Sequence, residues 1–208
     1  MDPLAIDRSV EGLSQVKDRW ARLPIREKIR YLEQVRDLLV DNADAWVAAG
    51  VQLKGLDPRA PIVGGEEWLG GPYPTAAWLT DMIGTLTRLS TGADPLEGVR
   101  IRTRPDGQVI AGAFPSNGYD RLLLNGYELD VWMQPGVTPG TLRDTVASFY
   151  RQSDPTGAVT LVLGAGNVAA IPMLDALYCL FADGHVVVLK MNPVNEAYGP
   201  VFARALEP

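Results

Sequence analysis

Two features in the last fifty residues have the types and spacing of a chemical site. The run Gly164-Ala165-Gly166-Asn167-Val168-Ala169 fits the pattern G-x-G-x-x-A, in which small residues let a backbone approach a pyrophosphate and let a helix pack tightly on a strand. Lys190 stands where a conventional dinucleotide site would carry an acidic residue for the ribose hydroxyls. An ammonium can donate to those hydroxyls and can also face a 2′-phosphate, so the exchange alters the mode of nucleotide binding without abolishing it. Each feature has a plain alternative: the small residues make a tight strand-to-helix turn, Asn167 caps a helix, and Lys190 is a solvated strand end. Cys179 falls in mid-helix near an apolar face and reads as a small core residue, and His185 reads as the start of a strand. No metal site is expected.

The flanking pattern supplies elements that would hold such a site. Val159-Thr160-Leu161-Val162-Leu163 is a short apolar run of the kind that forms a parallel strand covered on both faces. From Val168 to Ala182 the apolar residues Val168, Ile171, Leu174 and Leu177 have helical spacing, and Asp183-Gly184 ends the helix before a second strand, His185 to Leu189. This is the beginning of a βαβ unit, which aims the amides of its first turn at whatever binds beyond the strand ends.

The first half is helical by the same reasoning. Val10, Leu13, Val16 and Trp20 share a face of a first helix. Pro24 serves as a first-turn proline for a second, with Ile25, Ile29, Leu32, Val35 and Leu39 inward and Arg26, Lys28, Arg30 and Glu33 toward water. A third helix is predicted from Ala43 to Leu53. Glycine and proline make residues 55 to 74 an irregular connection, after which Thr75 caps a helix with Trp78, Met82, Leu86 and Leu89 inward. The period then changes: Val99 to Thr103 and Gln108 to Ala111 alternate around Pro105-Asp106-Gly107, which predicts a β-hairpin. Asn125-Gly126 predicts a second hairpin between Leu122-Leu123-Leu124 and the strand Leu129 to Met133. A short helix follows from Thr141 to about Tyr150, and Asp154 to Gly157 forms a linker. The chain divides into a helical and β-hairpin region, 1–157, and a partial dinucleotide-binding unit, 158–208.

Composition narrows the function classes. A formal net charge of -6, one histidine and no long Lys/Arg cluster argue against nucleic-acid binding. The longest apolar stretch, Val159 to Phe181, is broken by Asn167, Pro172 and Asp175, so no membrane span is expected. A single cysteine and an amino terminus, Met1-Asp2-Pro3-Leu4, without a signal-peptide pattern make a reducing cytoplasm the default.

Strand, turn ending in Asn167, helix, and strand ending Val186-Val187-Val188-Leu189-Lys190 together resemble the aldehyde dehydrogenase superfamily. There the pattern is a strand, Pro-Trp-Asn, a helix, and Val-Val-Leu-Lys-Pro, with the same 23-position gap that separates Asn167 from Lys190. Trp20, Leu23-Pro24, Arg26 and Leu38-Leu39 are similar to the family's amino-terminal pattern. The resemblance implies an α/β fold: an amino-terminal helical layer with β-hairpins, followed by an incomplete Rossmann-like βαβ unit of the aldehyde dehydrogenase type. It implies NAD or NADP as cofactor, held by Gly164, Ala165, Gly166 and Lys190, with weak or absent binding in the isolated chain, and a small aldehyde as the parent enzyme's substrate. Asn167 would be the catalytic contributor, donating its side-chain N–H to the oxyanion formed when a cysteine attacks the aldehyde.

Departures qualify the likeness. Ala165-Gly166 replaces the family's Pro-Trp, which removes an aromatic wall, and Met191-Asn192-Pro193 replaces Pro-Ser-Glu, which removes a second ribose contact. The inserted segment 114–156 marks a divergent branch acting on acyl or bulkier aldehyde substrates. The family's nucleophilic cysteine and water-activating glutamate lie downstream of the lysine, so the chain is expected to be an amino-terminal fragment, silent alone. Val201, Phe202 and Leu206 read as the apolar side of a helix cut short, whose exposed face needs a partner. The alternative function is an interaction subunit that pairs with a complementary chain or a full-length relative, or that forms a homo-oligomer.

Overall fold

Helical periodicity at the amino terminus produces helices, and the change of period near residue 100 produces strands. The computed structural model describes residues 3–60 and 62–208; Met1 and Asp2 of the amino-terminal pattern, and Pro61, lie outside the described residues. In chain order the elements are α1 (Pro3–Ala21), α2 (Ile25–Asp41), α3 (Ala43–Leu53), α4 (Val63–Gly70), α5 (Pro72–Thr91), β1 (Ile101–Thr103), β2 (Val109–Phe114), α6 (Gly118–Leu123), β3 (Leu129–Trp132) and α7 (Leu142–Thr145). A 3-10 turn, Ser148–Arg151, precedes β4 (Val159–Leu163), α8 (Ile171–Phe181) and β5 (Val186–Lys190); a second, Pro193–Tyr198, precedes α9 (Gly199–Ala205). The protein is a mixed α/β chain with two small sheets, β1-β2-β3 and β4-β5. Among the described residues, no helix is long and apolar enough to cross a membrane.

The chain forms two compact units that do not follow a linear division at residue 157. Residues up to Thr91 join Gln152–Pro208 in one, and Gly92–Arg151 form the other. In the first, α2 packs chiefly on α5, and α1 and α8 both pack on the β4–β5 pair. Trp46, fully buried on α3, meets Phe202 with ring centroids 4.7 Å apart. This overturns the expectation of an unpartnered carboxy-terminal face: Val201, Phe202 and Ala205 are buried by the chain's own helices, and only Leu206 is half-exposed.

β4 and β5 are parallel, in register from Val159 opposite Val186 to Leu163 opposite Lys190. With α8 between them they make the expected βαβ unit. The expectation that β4 is covered on both faces fails, because Val162 is buried but Leu161 and Leu163 are 60% and 69% exposed. Leu161 and Leu163 alternate with Val162 and so point to the opposite face of the sheet, which is left open at this strand.

Other expectations in this unit are corrected by local chemistry. Residues 55 to 74 are not simply irregular, because they contain all of α4 and the start of α5. Pro72 and Pro74 sit in the first turn of α5, where a missing N–H costs nothing. Thr75 is therefore inside the helix, buried, with Oγ1 donating to the Gly71 carbonyl at 2.9 Å instead of capping. The buried face turns accordingly: Leu79 and Leu86 are fully buried, while Trp78, Met82 and Leu89 flank them half-buried. α8 begins at Ile171 instead of Val168, and Pro24 stands at the N-cap position of α2, just ahead of its first turn.

Lys28 is the sharpest reversal in α2. It falls four residues before Leu32 and shares the stripe of Leu32, Val35 and Leu39, so helical spacing buries it; its exposure is 0%. Its Nζ lies 3.5 Å from the Ala21 carbonyl oxygen and 5.6 Å from the Trp20 ring centroid. Burial pulls its pKa down to about 8. Below pH 8 the lysine is charged in both folded and unfolded chains and the burial penalty is fully present. Between pH 8 and the unfolded value near 10.5 the unfolded chain binds the extra proton, so the unfolding free energy rises with pH. Urea titrations should show a gain of about 2 kcal/mol between pH 8 and 10, absent in Lys28→Met. A flat profile in the wild type would contradict it. Above pH 10 the trend reverses, because burial holds the Tyr150 and Tyr198 hydroxyls protonated in the folded state.

In the second unit β2 is the central strand, antiparallel to β1 and β3. The first hairpin is as expected, with Gly107 at φ 88° in its turn. The second is not: Leu122 and Leu123 belong to α6, which forms because the Asn117 Oδ1 accepts the N–H groups of Tyr119 and Asp120 at 2.9 and 3.0 Å. Gly126 does turn the chain, at φ 90°, but from helix to strand. Arg100 and Arg102 reach across β2 to Glu128 and Asp130, and Arg104 lies 4.2 Å over Trp132, so β1 and β3 are tied over one face. The helix expected from Thr141 to Tyr150 is cut to Leu142–Thr145 and a 3-10 turn, because Ala147 between them takes φ 53°, which no right-handed helix accommodates.

Candidate functional site

The turn between β4 and α8 is fixed by backbone contacts at both ends. Gly164 N–H donates to Lys190 O at 2.9 Å, so the turn begins beside the residue that closes β5. At its far end Ala170 N–H donates to Gly70 O at 2.9 Å, which joins the turn to the end of α4. A Cβ at Gly164 would lie 3.2 Å from both Lys190 O and the Pro172 ring, and one at Gly166 would lie 3.0 Å from the Asn192 carboxamide. At both glycines the side-chain space is already filled by protein, as the tight-turn alternative requires. Ala165 between them is half-buried.

Asn167 is exposed in the middle of this turn. It does not cap the helix: the N-cap position of α8 is Ala170, with no side-chain cap. Lys190 is exposed at the carboxy-terminal end of β5, opposite Leu163. The candidate cofactor residues Gly164, Ala165, Gly166 and Lys190 and the candidate catalytic residue Asn167 are thus gathered at one end of the β4–β5 pair.

Cys179 and His185 stand apart from that end. Cys179 is half-buried on α8, and burial together with the charges of Asp183 and Asp175 pushes its thiol pKa up, opposite to what a nucleophile needs. The His185 Nδ1 lies 2.9 Å from the Thr160 hydroxyl, at the start of β5.

Asn167 also lines a cavity of about 300 Å³ with Lys54, Glu66, Val168, Asn195 and Tyr198. Behind its wall lies an ion-pair network absent from the sequence expectations. Lys54 Nζ is 2.6 Å from Glu67 Oε1 and 2.9 Å from Glu66 Oε1, and Tyr198 OH donates to Glu67 Oε2 at 3.1 Å. Glu67 is only 3% exposed. The two carboxylates push the Lys54 pKa up, while burial and then the Glu67 charge push the Tyr198 hydroxyl to about 12. The network links α3, α4 and the Pro193–Tyr198 turn. Sequence reasoning missed it because Glu66 and Glu67 fall in a stretch whose glycines and prolines spoke for a loop. A local signal did exist for Asn192-Pro193, a cap residue followed by proline, which marks a helical start.

Comparison with family models, with curated proteins and with solved structures finds no match to this chain.

Proposed function

We propose that this chain is the amino-terminal part of an NAD(P)-dependent aldehyde dehydrogenase, with a Rossmann-like βαβ unit of that family's type. The observation that supports it is the adjacency of the Asn167 turn and Lys190: Leu163 pairs with Lys190, and Gly164 N–H bonds the Lys190 carbonyl. That adjacency brings a carboxamide donor and an ammonium to one end of a parallel strand pair, where open α/β sheets bind ligands. Lys190 would donate to the adenosine ribose hydroxyls, and the Asn167 side-chain N–H would stabilise the oxyanion of the attacked aldehyde. The bound nicotinamide would supply the hydride acceptor. Cys179, the only cysteine of the sequence, is unsuited to attack because its thiol is held protonated, so the chain by itself would be catalytically silent.

Calorimetric titration with NAD and NADP, with the mass in solution followed by light scattering, tests this reading. Saturable binding weakened about tenfold or more in Lys190→Ala, which corresponds to about 1.4 kcal/mol, and unchanged in Cys179→Ser, is the expected result. Equal effects of the two substitutions would remove the cofactor assignment, and no binding of either nucleotide would mean that this chain holds no working half-site. A second reading, an interaction subunit, is favoured by a different observation: in Gly92–Arg151 the apolar residues Tyr119, Leu122, Tyr127 and Leu129 are each more than 60% exposed. Stable co-purification of a second polypeptide, lost on substituting Leu122 and Leu129 with serine, would speak for that reading.

A further inference from the structure

We infer that Asn195 and Asn192 are positioning residues that hold the Asn167 turn in the conformation its chemistry requires. The inference rests on the proposed role of Asn167, but its structural half stands without a ligand. Asn195 is 5% exposed, one of five buried polar or charged residues among the described residues. Its Nδ2 donates to the Ala165 carbonyl at 2.9 Å, bridging from the 3-10 turn after β5 to the turn before α8. Asn192 shapes that 3-10 turn: its Oδ1 accepts Val194 N–H at 3.0 Å, and its backbone carbonyl accepts Asn195 N–H at 2.9 Å. The Asn192 carboxamide also occupies the space beside Gly166, so the two asparagines grip consecutive residues of the turn, one by a hydrogen bond and the other by packing.

With Gly164 bonded to Lys190 O and Ala170 bonded to Gly70 O, the span carrying Asn167 is anchored before and after it. A carboxamide intended for a developing charge must be aimed before the charge appears, since reorganisation during reaction cancels the gain. The six residues from Lys190 to Asn195 then perform two tasks. Their first residue faces the ribose, and their last holds the turn of the oxyanion donor. In this chain Met191-Asn192-Pro193 therefore gains a positioning role where the family's Pro-Ser-Glu pattern would place a second ribose contact.

The test uses backbone and carboxamide ¹⁵N relaxation together with hydrogen exchange on the full chain, for wild type, Asn195→Asp and Asn195→Ala. Aspartate keeps the size and removes the donor. The expected result is order parameters of about 0.85 in the wild-type turn falling below about 0.6 at residues 165–168 in both variants, with β4 and α8 unchanged. Gly166→Ala, which presses on Asn192 from the other side, should loosen the same residues and serves if the Asn195 variants do not fold. A turn that stays as ordered as wild type in these variants would overturn the inference. NAD titration separates the two claims. If wild type binds and Asn195→Asp weakens binding about tenfold with Lys190 intact, positioning is supported. Loosening of the turn in a chain that binds neither nucleotide would support the asparagine lock as a structural device and deny this chain a working cofactor half-site.

Discussion

Gly157→Ala is expected to cost on the order of 3 kcal/mol or more of folding free energy. A Cβ at residue 157 would stand 2.1 Å from the Lys17 carbonyl oxygen and 2.5 Å from its carbon. These are backbone atoms of α1, and no side-chain rotation can relieve the overlap. The same glycine donates its N–H to Asp18 Oδ1 at 2.9 Å, and Ala158, next along the chain, accepts Val186 N–H at 2.9 Å. The glycine is thus where α1 is seated against the first residues of the β4–β5 pair, and moving α1 also disturbs Trp20, whose Nε1 donates to Leu180 O at 2.9 Å. Urea unfolding followed by tryptophan fluorescence measures the effect. Gly12→Ala in the same α1 is the control: nothing lies within 4 Å of its Cβ position, so it should be stabilising by about 0.5 to 1 kcal/mol. Equal outcomes at the two positions would contradict the close approach.

Gly50→Ala should destabilise by about 3 kcal/mol, against the sign of helix propensity. In the middle of α3 an alanine would ordinarily favour the helix. Here its Cβ would fall 2.0 Å from Glu67 Oε2 and 2.6 Å from Tyr198 OH. Glu67 has little room to retreat, because it is buried and its other oxygen is 2.6 Å from Lys54. Displacing it breaks the Tyr198 hydrogen bond and leaves a buried charge poorly paired, which is where removal of one ion-pair partner becomes expensive. The substitution is also expected to loosen the 3-10 turn that carries Asn195 and Tyr198. A double-mutant cycle with Glu67→Ala identifies the cause: once the carboxylate is gone, Gly50→Ala should cost less than 1 kcal/mol. A cost that stays additive would show that the clash lies elsewhere.

The elements most legible in the sequence were those whose evidence is local. The stripe Leu32, Val35 and Leu39 defines α2, the residues 43–53 make α3 as expected, and the alternation around Pro105-Asp106-Gly107 makes the first hairpin. The βαβ unit was legible because an apolar run, a small-residue turn and a helical period follow each other without interruption. Failures came where one local signal outweighed another. Glycines and prolines between 55 and 74 spoke for a loop, yet prolines in a helix's first turn are harmless and α4 and α5 form. Asn125-Gly126 spoke for a hairpin, but the cap at Asn117 had already committed residues 118–123 to a helix.

By itself the sequence determined the α/β character of the chain, most of its helices, and the placing of Asn167 in the turn and Lys190 at the last position of a strand-turn-helix-strand run, because hydrophobic period and turn chemistry act over a few residues. Tertiary structure decided what surrounds them. It buried Phe202 against Trp46 of α3, set Glu67 between Lys54 and Tyr198, and brought Asn195 to the Ala165 carbonyl. Those contacts join residues tens to more than a hundred positions apart. Their formation depends on how helices and strands pack, and no spacing along the chain encodes a distance across it.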